Sequence, residues 1–339
     1  MKLRNMACAF VMVCAGLVTE AGAQSAYVLH EPISARIKAM GWSGVADNSD
    51  PSTVRVNPAN VAGRVGIYAY GGKWGYDEEV LEDVWMGGGS IGLVHQREGS
   101  NTTIGIDLSY GRLDYGDTGG PTLPYDSYED FMALAVGAAF ALDDQWTLRA
   151  GIAAKRLSLN YGPASFGVDD EPFEESMFVF DAGAAFAYTG TLEGWAVTPG
   201  FGMALANAGP DIEYMDGRSD PQPTVFRFGP SVRLASPPTP IFGADVPVFS
   251  VVTNLEATEA FNDEPFSWAI GAELAVAEMF FVRAGTRDLD DDTTSIESES
   301  GWGVGVGLPV QKFRARFDYT KVSNPFQEDT FGFMAMVLF

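Results

Sequence analysis

The sequence predicts an all-β fold, a transmembrane antiparallel β-barrel of about fourteen strands. Three observations carry this expectation. From Arg64 onward, segments of about 10 to 15 residues alternate between large apolar and small or polar side chains. The connections between these segments are alternately short and long, the asymmetry of a barrel with turns on one side of a membrane and loops on the other. The final segment sets Phe331, Phe333, Ala335, Val337 and Phe339 on one face and closes the chain on phenylalanine, the form of a terminal strand read by an outer-membrane assembly machinery.

The N-terminus reads as an export signal over residues 1–23. Met1-Lys2-Leu3-Arg4 supplies the charge, Met6 to Val18 the apolar run, and Ala21-Gly22-Ala23 the small residues before cleavage. The run is too short to cross a bilayer as a helix, which takes roughly 20 residues. Cys14 lacks the small preceding residue of a lipidation site. Cys8 and Cys14 are the only cysteines, so the chain expected after cleavage has no disulfide and no thiolate metal site. No later stretch reaches 18 consecutive apolar residues, yet a chain 46% hydrophobic and 19% charged is too apolar to stay disordered. Period-two burial accounts for both facts.

Fourteen segments fall near 64–74, 87–96, 102–115, 129–142, 145–161, 175–189, 194–207, 222–236, 245–258, 264–277, 279–289, 299–310, 311–322 and 328–339. The barrel therefore spans 64–339, preceded by an N-terminal segment at 24–63. The fourth segment places Met132, Leu134, Val136 and Phe140 against Ala133, Ala135, Gly137 and Ala139. The tenth opposes Phe266, Trp268, Ile270 and Leu274 to Ser267, Ala269, Gly271 and Glu273, and the twelfth opposes Trp302, Val304, Val306 and Leu308 to four glycines. A soluble sandwich turns its large side chains inward and polar ones outward. Here the second face is glycine, alanine and scattered charge, which suits lipid outside and a filled lumen inside. Aromatics such as Trp74, Trp85, Tyr110, Trp146, Tyr188, Trp195 and Tyr319 near segment ends fit interfacial girdles.

Connections after even-numbered segments are short, including those after the eighth and at Asp143-Asp144, whereas most after odd-numbered segments are long. The long ones collect much of the net charge of −24: Asp77, Glu78, Glu79, Glu82, Asp83, Asp169, Asp170, Glu171, Asp211, Glu213, Asp216, Asp290, Asp291, Asp292 and Glu299. Such a rim concentrates cations and repels anions, so no nucleic acid is expected as a partner. Two readings of it stand: a divalent-cation layer joining the loops to lipopolysaccharide phosphates, or general acidity. The Asp288 to Asp292 run lacks the spacing of a calcium loop, and no metal or cofactor is expected.

Parity sends Arg149, Lys155, Arg227, Arg233, Arg283, Arg287, Arg314 and Arg316 inward with Asp107, Asp181, Glu273 and Asp318, because charge on the lipid face costs several kcal/mol. These groups form either a structural network of ion pairs or, at Arg227, Arg283, Arg287 and Arg316, contacts for an anionic head group. Pro199 and Pro230 lie in the seventh and eighth segments. A hairpin centred between Tyr214 and Met215 sets them opposite each other, and proline cannot donate to a ladder. That arrangement suggests a lateral opening in the wall, or else a bulge.

Met40-Gly41-Trp42-Ser43-Gly44-Val45-Ala46-Asp47-Asn48-Ser49-Asp50-Pro51-Ser52, followed by Asn57-Pro58-Ala59, resembles the N-terminal signature of the FadL-type and PorV/PorQ superfamily of outer-membrane proteins. Phe313-Arg314-Ala315-Arg316-Phe317-Asp318-Tyr319 is similar to the penultimate strand of its PorV-like members. The resemblance implies a fourteen-stranded barrel with residues 24–63 as a lumenal plug, to which Asn57, Pro58 and Ala59 belong. It also implies an outer-membrane location in a diderm bacterium, in contact with outer-membrane lipid and lipopolysaccharide. In fatty-acid transporters of this kind the plug gates passive passage of a hydrophobic ligand; in PorV-like proteins the barrel is a component of a protein secretion system. Catalysis is not expected, since His30 precedes the barrel and His95 shares parity with the lipid face.

Overall fold

The computed structural model describes residues 26–32, 34–63, 66–74, 84–117, 125–162, 172–213, 219–261, 266–289, 298–311, 313–324 and 327–338. The expected leader, Phe339 and most of the acidic connections lie outside these residues.

Fourteen strands form the wall: β1 Gly66–Trp74, β2 Val84–Gln96, β3 Thr102–Asp117, β4 Asp126–Ala141, β5 Trp146–Tyr161, β6 Phe173–Tyr188, β7 Trp195–Ala208, β8 Val225–Ala235, β9 Phe249–Ala260, β10 Ser267–Val276, β11 Phe280–Leu289, β12 Glu299–Val310, β13 Phe313–Asn324 and β14 Gln327–Leu338. Each pairs antiparallel with its neighbours in sequence, and β1 pairs with β14 from Gly66↔Leu338 to Lys73↔Phe331, which closes the sheet. Closure removes the free edges that hydrocarbon cannot hydrate. Each expected segment coincides with one strand. The second starts earlier, at Val84, because Val84, Trp85 and Met86 already alternate in, out, in.

The outer face is apolar along its whole circumference. Ile91, Leu108, Leu134, Ile152, Phe180, Leu255, Ile270, Val282, Val304, Phe317 and Phe333 are exposed, while their alternate neighbours point into the barrel. A water-soluble protein rarely presents one continuous apolar band. Around a closed barrel this is the lipid-facing surface of a transmembrane fold. Trp146, 5.1 Å from Tyr188 between ring centroids, marks one interface at the short-turn end.

At that end the turns are tight. Ala277 and Glu278 are consecutive left-handed residues (φ 56° and 51°) in the three-residue connection between Val276 and Phe280, and Met279 N donates across them to Val276 O at 2.9 Å. The connection from β8 to β9 departs from the expected short turn. Pro238–Ile241 and Ala244–Pro247 form a separate hairpin there, whose tip carbonyl at Phe242 accepts from Gln311 N, 3.4 Å away. Pro237, Pro238 and Pro240 supply no amide to extend the barrel ladder, so the excursion pairs with itself.

Strands β3 to β6 have 16 residues each. At roughly 3.4 Å per residue and a tilt near 40° such a strand rises about 40 Å, against an apolar band of about 25 Å. Their ends at the long-connection side therefore stand beyond the hydrocarbon. There the inward positions become large and apolar: Leu113, Phe131, Leu157, Leu159, Phe173 and Val179 are buried in one cluster with Val28 and Leu29 of the N-terminal segment.

Candidate functional site: a plugged lumen

Residues 26–32 and 34–63 occupy the lumen. They comprise two short helices, α1 Tyr27–His30 and α2 Ala35–Ala39, and two 3-10 turns, Pro51–Arg55 and Pro58–Ala62. Both 3-10 turns follow from an Asx-Pro pair. Asp50 accepts from Ser52 N at 2.9 Å and Asn57 from Ala59 N at 3.0 Å, while Pro51 and Pro58 take the first turn position, where an amide would have no partner.

The Asn57-Pro58-Ala59 motif thus acquires a physical role. The Asn57 side-chain amide donates to Val45 O at 2.7 Å and lies 3.2 Å and 3.3 Å from Ala184 O of β6 and Met203 O of β7, joining two parts of the plug to the wall. Ala59 is fully buried.

A ring of inward glycines makes room for the plug. A Cβ on Gly105, Gly151, Gly183, Gly202, Gly271, Gly285 or Gly301 would come closer than 3.0 Å to plug atoms, mostly backbone. Gly105, Gly137, Gly151 and Gly183 are register partners across β3 to β6, as are Gly271, Gly285 and Gly301 across β10 to β12. The small face read from the sequence is therefore a seat for backbone, not an open channel. On the plug side Gly41, at φ +63°, presses on β11: a Cβ there would lie 2.6 Å from Thr286 N.

Charge fixes the plug on its other side. Arg36 pairs with Asp47 at 2.7 Å within the plug and with Glu273 of β10 at 2.9 Å. Arg283 of β11 joins Glu273 at 2.5 Å and Asp318 of β13 at 2.6 Å, reaching past Gly305 of β12, whose missing side chain leaves the path open. Arg316 pairs with Asp318 at 2.7 Å and with Asp50 of the plug. Burial by itself lowers the Arg36 pKa, but Asp47, Glu273 and Asp50 outweigh it and hold it well above its usual value. Burial raises the Asp50 carboxyl, and Arg316 and Arg36 overcome that to bring it down to about 2. Glu256 of β9 accepts from Gly44 N and Val45 N at 2.8 and 2.9 Å.

The four arginines expected to hold a head group are engaged elsewhere. Arg283 and Arg316 belong to the ion-pair cluster, Arg227 lies 3.3 Å from Glu256, and Arg287 lies 3.8 Å from Glu299 and over the Trp42 ring. Parity brought them inward as expected, but cross-strand register brought carboxylates with them. Glu299 itself is buried in the lumen rather than on the acidic rim.

The proposed opening at Pro199 and Pro230 is also corrected. The observed register pairs Pro230 with Phe201 and Pro199 with Val232, two residues away from opposed prolines, and the β7–β8 ladder runs unbroken from Val225↔Ala206 to Ala235↔Ala196. Pro230 instead interrupts the β8–β9 ladder, which lacks rungs at Gly229 and Pro230 but resumes in the same register at Ser231↔Asn254. It is a missing donor on an outward position, neither a gap nor a bulge.

The residue that sequence reasoning missed is Arg55. Its guanidinium stacks 3.7 Å over Phe131 and forms no ion pair among the described residues. Its Nε is buried without a hydrogen-bond partner. Burial lowers its pKa, with Asp181, Tyr68 and Asp107 opposing that from a distance. Arg55 lines a narrow cleft with Leu29, Glu31, Ile37, Trp42, Lys155 and Arg227, and Glu31 is itself held by Lys38 at 2.8 Å. Lys155 is held by Asp181 at 2.7 Å and by Asn207 at 2.6 Å, which leaves Arg55 as the uncommitted cation of this set. Its sequence signal, one basic residue just before Asn57-Pro58, was legible but weak.

Fold and plug together define a closed fourteen-stranded transmembrane barrel with a segment seated in its lumen. No protein-family model and no curated protein sequence matches the chain. Among solved structures it is similar to the Pseudomonas putida toluene transporter TodX (10% identity, TM-score 0.49, covering 94% of this chain and 99% of that one). It is also similar to a Pseudomonas aeruginosa FadL homologue (11%, 0.47, 90% and 97%) and to the β domain of the Bordetella autotransporter BrkA (14%, 0.45, 81% and 99%).

Proposed function

We propose that the chain is an outer-membrane barrel for passive passage of hydrophobic, fatty-acid-like molecules, with the plug as its gate. The observation that carries this reading is the lumenal cleft at Arg55, where Leu29, Ile37 and Trp42 lie beside a guanidinium that forms no ion pair among the described residues. An uncommitted cation beside apolar side chains suits the anionic head of an amphiphile, which would enter as the plug moves aside. Displacement of the plug would bare the apolar cluster of Leu113, Phe131, Leu157 and Leu159, now packed on Val28 and Leu29, as surface for an acyl chain.

The test is titration of a fluorescent fatty acid into folded full-length protein. Arg55→Gln weakens binding about tenfold or more, as expected for loss of a charge-assisted hydrogen bond. A fatty alcohol of the same length is unaffected by the substitution, and Arg287→Ala leaves fatty-acid affinity within about twofold. Absence of saturable binding, or equal affinity of wild type and Arg55→Gln, refutes the proposal.

A further inference from the structure

On the lipid face, Arg156 of β5 is a cation without an ion pair or hydrogen bond among the described residues. It points outward and is exposed. Its register partners are Met132 on β4 and Phe178 on β6, both exposed and apolar. One step farther along, the partners are Asp130, Ser158 and Ser176, so Arg156 stands where the apolar band gives way to polar residues. Trp146 marks the opposite interface ten residues earlier on the same strand. Ten residues at roughly 3.4 Å and a 40° tilt rise about 26 Å, the height of the apolar band itself. Arg156 therefore lies at head-group level on the long-connection side, the outer leaflet if the barrel spans the outer membrane as proposed above.

Below and beside it runs an open groove of about 730 Å³, lined by Ile67, Ile91, Leu108, Leu134 and Phe178, with Arg156 the one charged residue of its lining. It extends from β1 to β6, five strand spacings or about 24 Å, a width for several acyl chains rather than two. The nearby Arg112 is already paired with Asp114 at 3.0 Å and Asp126 at 3.5 Å.

We propose that this groove is a binding site for a phosphorylated, multi-acyl glycolipid of the outer leaflet, with one phosphate on Arg156 and acyl chains over the strip from Ile67 to Phe178. Charge complementarity selects the phosphate, and groove width selects the number of chains.

The test uses full-length protein exchanged into neutral phosphatidylcholine nanodiscs containing a minor fraction of lipid A, enzymatically dephosphorylated lipid A, or phosphatidylglycerol. Lipid retained on the purified protein is then read by native mass spectrometry. Wild type retains lipid A over its dephosphorylated form and over phosphatidylglycerol. Arg156→Gln loses that preference about fivefold, the contribution of one basic residue near an anionic membrane surface, and Arg156→Lys keeps most of it. Equal retention of the phosphorylated and dephosphorylated lipids, no change in Arg156→Gln, or preference for phosphatidylglycerol overturns the assignment. The comparison among lipids on wild type decides the matter even where a variant folds poorly. Failure of the barrel to enter nanodiscs at all counts against the membrane reading, a separate outcome.

Discussion

Replacing Arg36 by glutamine should release the plug while leaving the barrel closed. Arg36, Arg283 and Arg316 share one cluster with Asp47, Asp50, Glu273 and Asp318, so its formal charge is 3 − 4 = −1. Arg36→Gln makes it 2 − 4 = −2 and leaves Asp47 and Glu273 without their 2.7 and 2.9 Å partner in a dry interior. Removing one member of a buried pair typically costs 3–5 kcal/mol, about two to four orders of magnitude in the population of the open state. The wall strands lose no ladder hydrogen bond, so the loss falls on plug docking. Trypsin reads it directly, because Lys38 is fully buried and Arg55 half-buried when the plug is seated. When reclosure outpaces cleavage, the cleavage rate follows the open population. Arg36→Gln should therefore be cut far faster than wild type at these residues while the barrel keeps its folded gel mobility. Adding Glu273→Gln returns the cluster to 2 − 3 = −1 and should restore part of the protection. Unchanged cleavage in Arg36→Gln, or no recovery in the double variant, refutes the reasoning.

Other perturbations test other parts of the site. Gly183→Val should prevent full seating, because a side chain there meets Asn57 and Pro58; overpacking of 1–3 kcal/mol is expected and tryptic cleavage of the plug reports it. Asn57→Ala should loosen the plug by about 1–2 kcal/mol through loss of the cap and the amide's carbonyl contacts, whereas Asn57→Asp keeps the cap but turns a buried carboxylate oxygen on three carbonyls and should loosen it more than alanine does. Asp50 has its carboxyl pKa depressed from 3.8 to about 2, so its contribution of about 2 kcal/mol is present above pH 4 and lost as pH falls through 2. Pepsin cleavage of the plug should rise across that window, and Asp50→Asn should flatten the dependence. Pro230→Val should leave fatty-acid binding unchanged, since the wall at β7–β8 is already continuous.

The wall was readable because its signals are local. Alternation in β4, β10 and β12 assigned inside and outside from neighbouring residues, and the exposure of Trp268, Ile270 and Trp302 agrees. The Asn57-Pro58-Ala59 motif was visible, but its work depends on Val45, Ala184 and Met203, which only folding brings together. Which inward arginines pair with which carboxylates was beyond local reading for the same reason. Asp318 lies 35 residues beyond Arg283 and reaches it across an intervening strand. The opposed prolines failed on a two-residue shift of the β7–β8 hairpin, whose turn at Tyr214 and Met215 lies outside the described residues. Inward Phe131 and Leu157 were hidden by assuming that one inside-outside rule holds along an entire strand, although β4 and β5 extend beyond the apolar band.

Hydrogen exchange of residues 26–63 in the folded barrel tests the central claim most directly. The amides of Val28, Gly44, Val45 and Ala59 each donate to a side-chain oxygen inside the lumen, at 2.7, 2.8, 2.9 and 3.0 Å. A seated plug predicts that these amides exchange orders of magnitude more slowly than a free peptide, and that Arg36→Gln removes this protection without exposing β10 to β13. Exchange of the whole segment at free-peptide rates in wild type, with the strands still protected, would contradict the account.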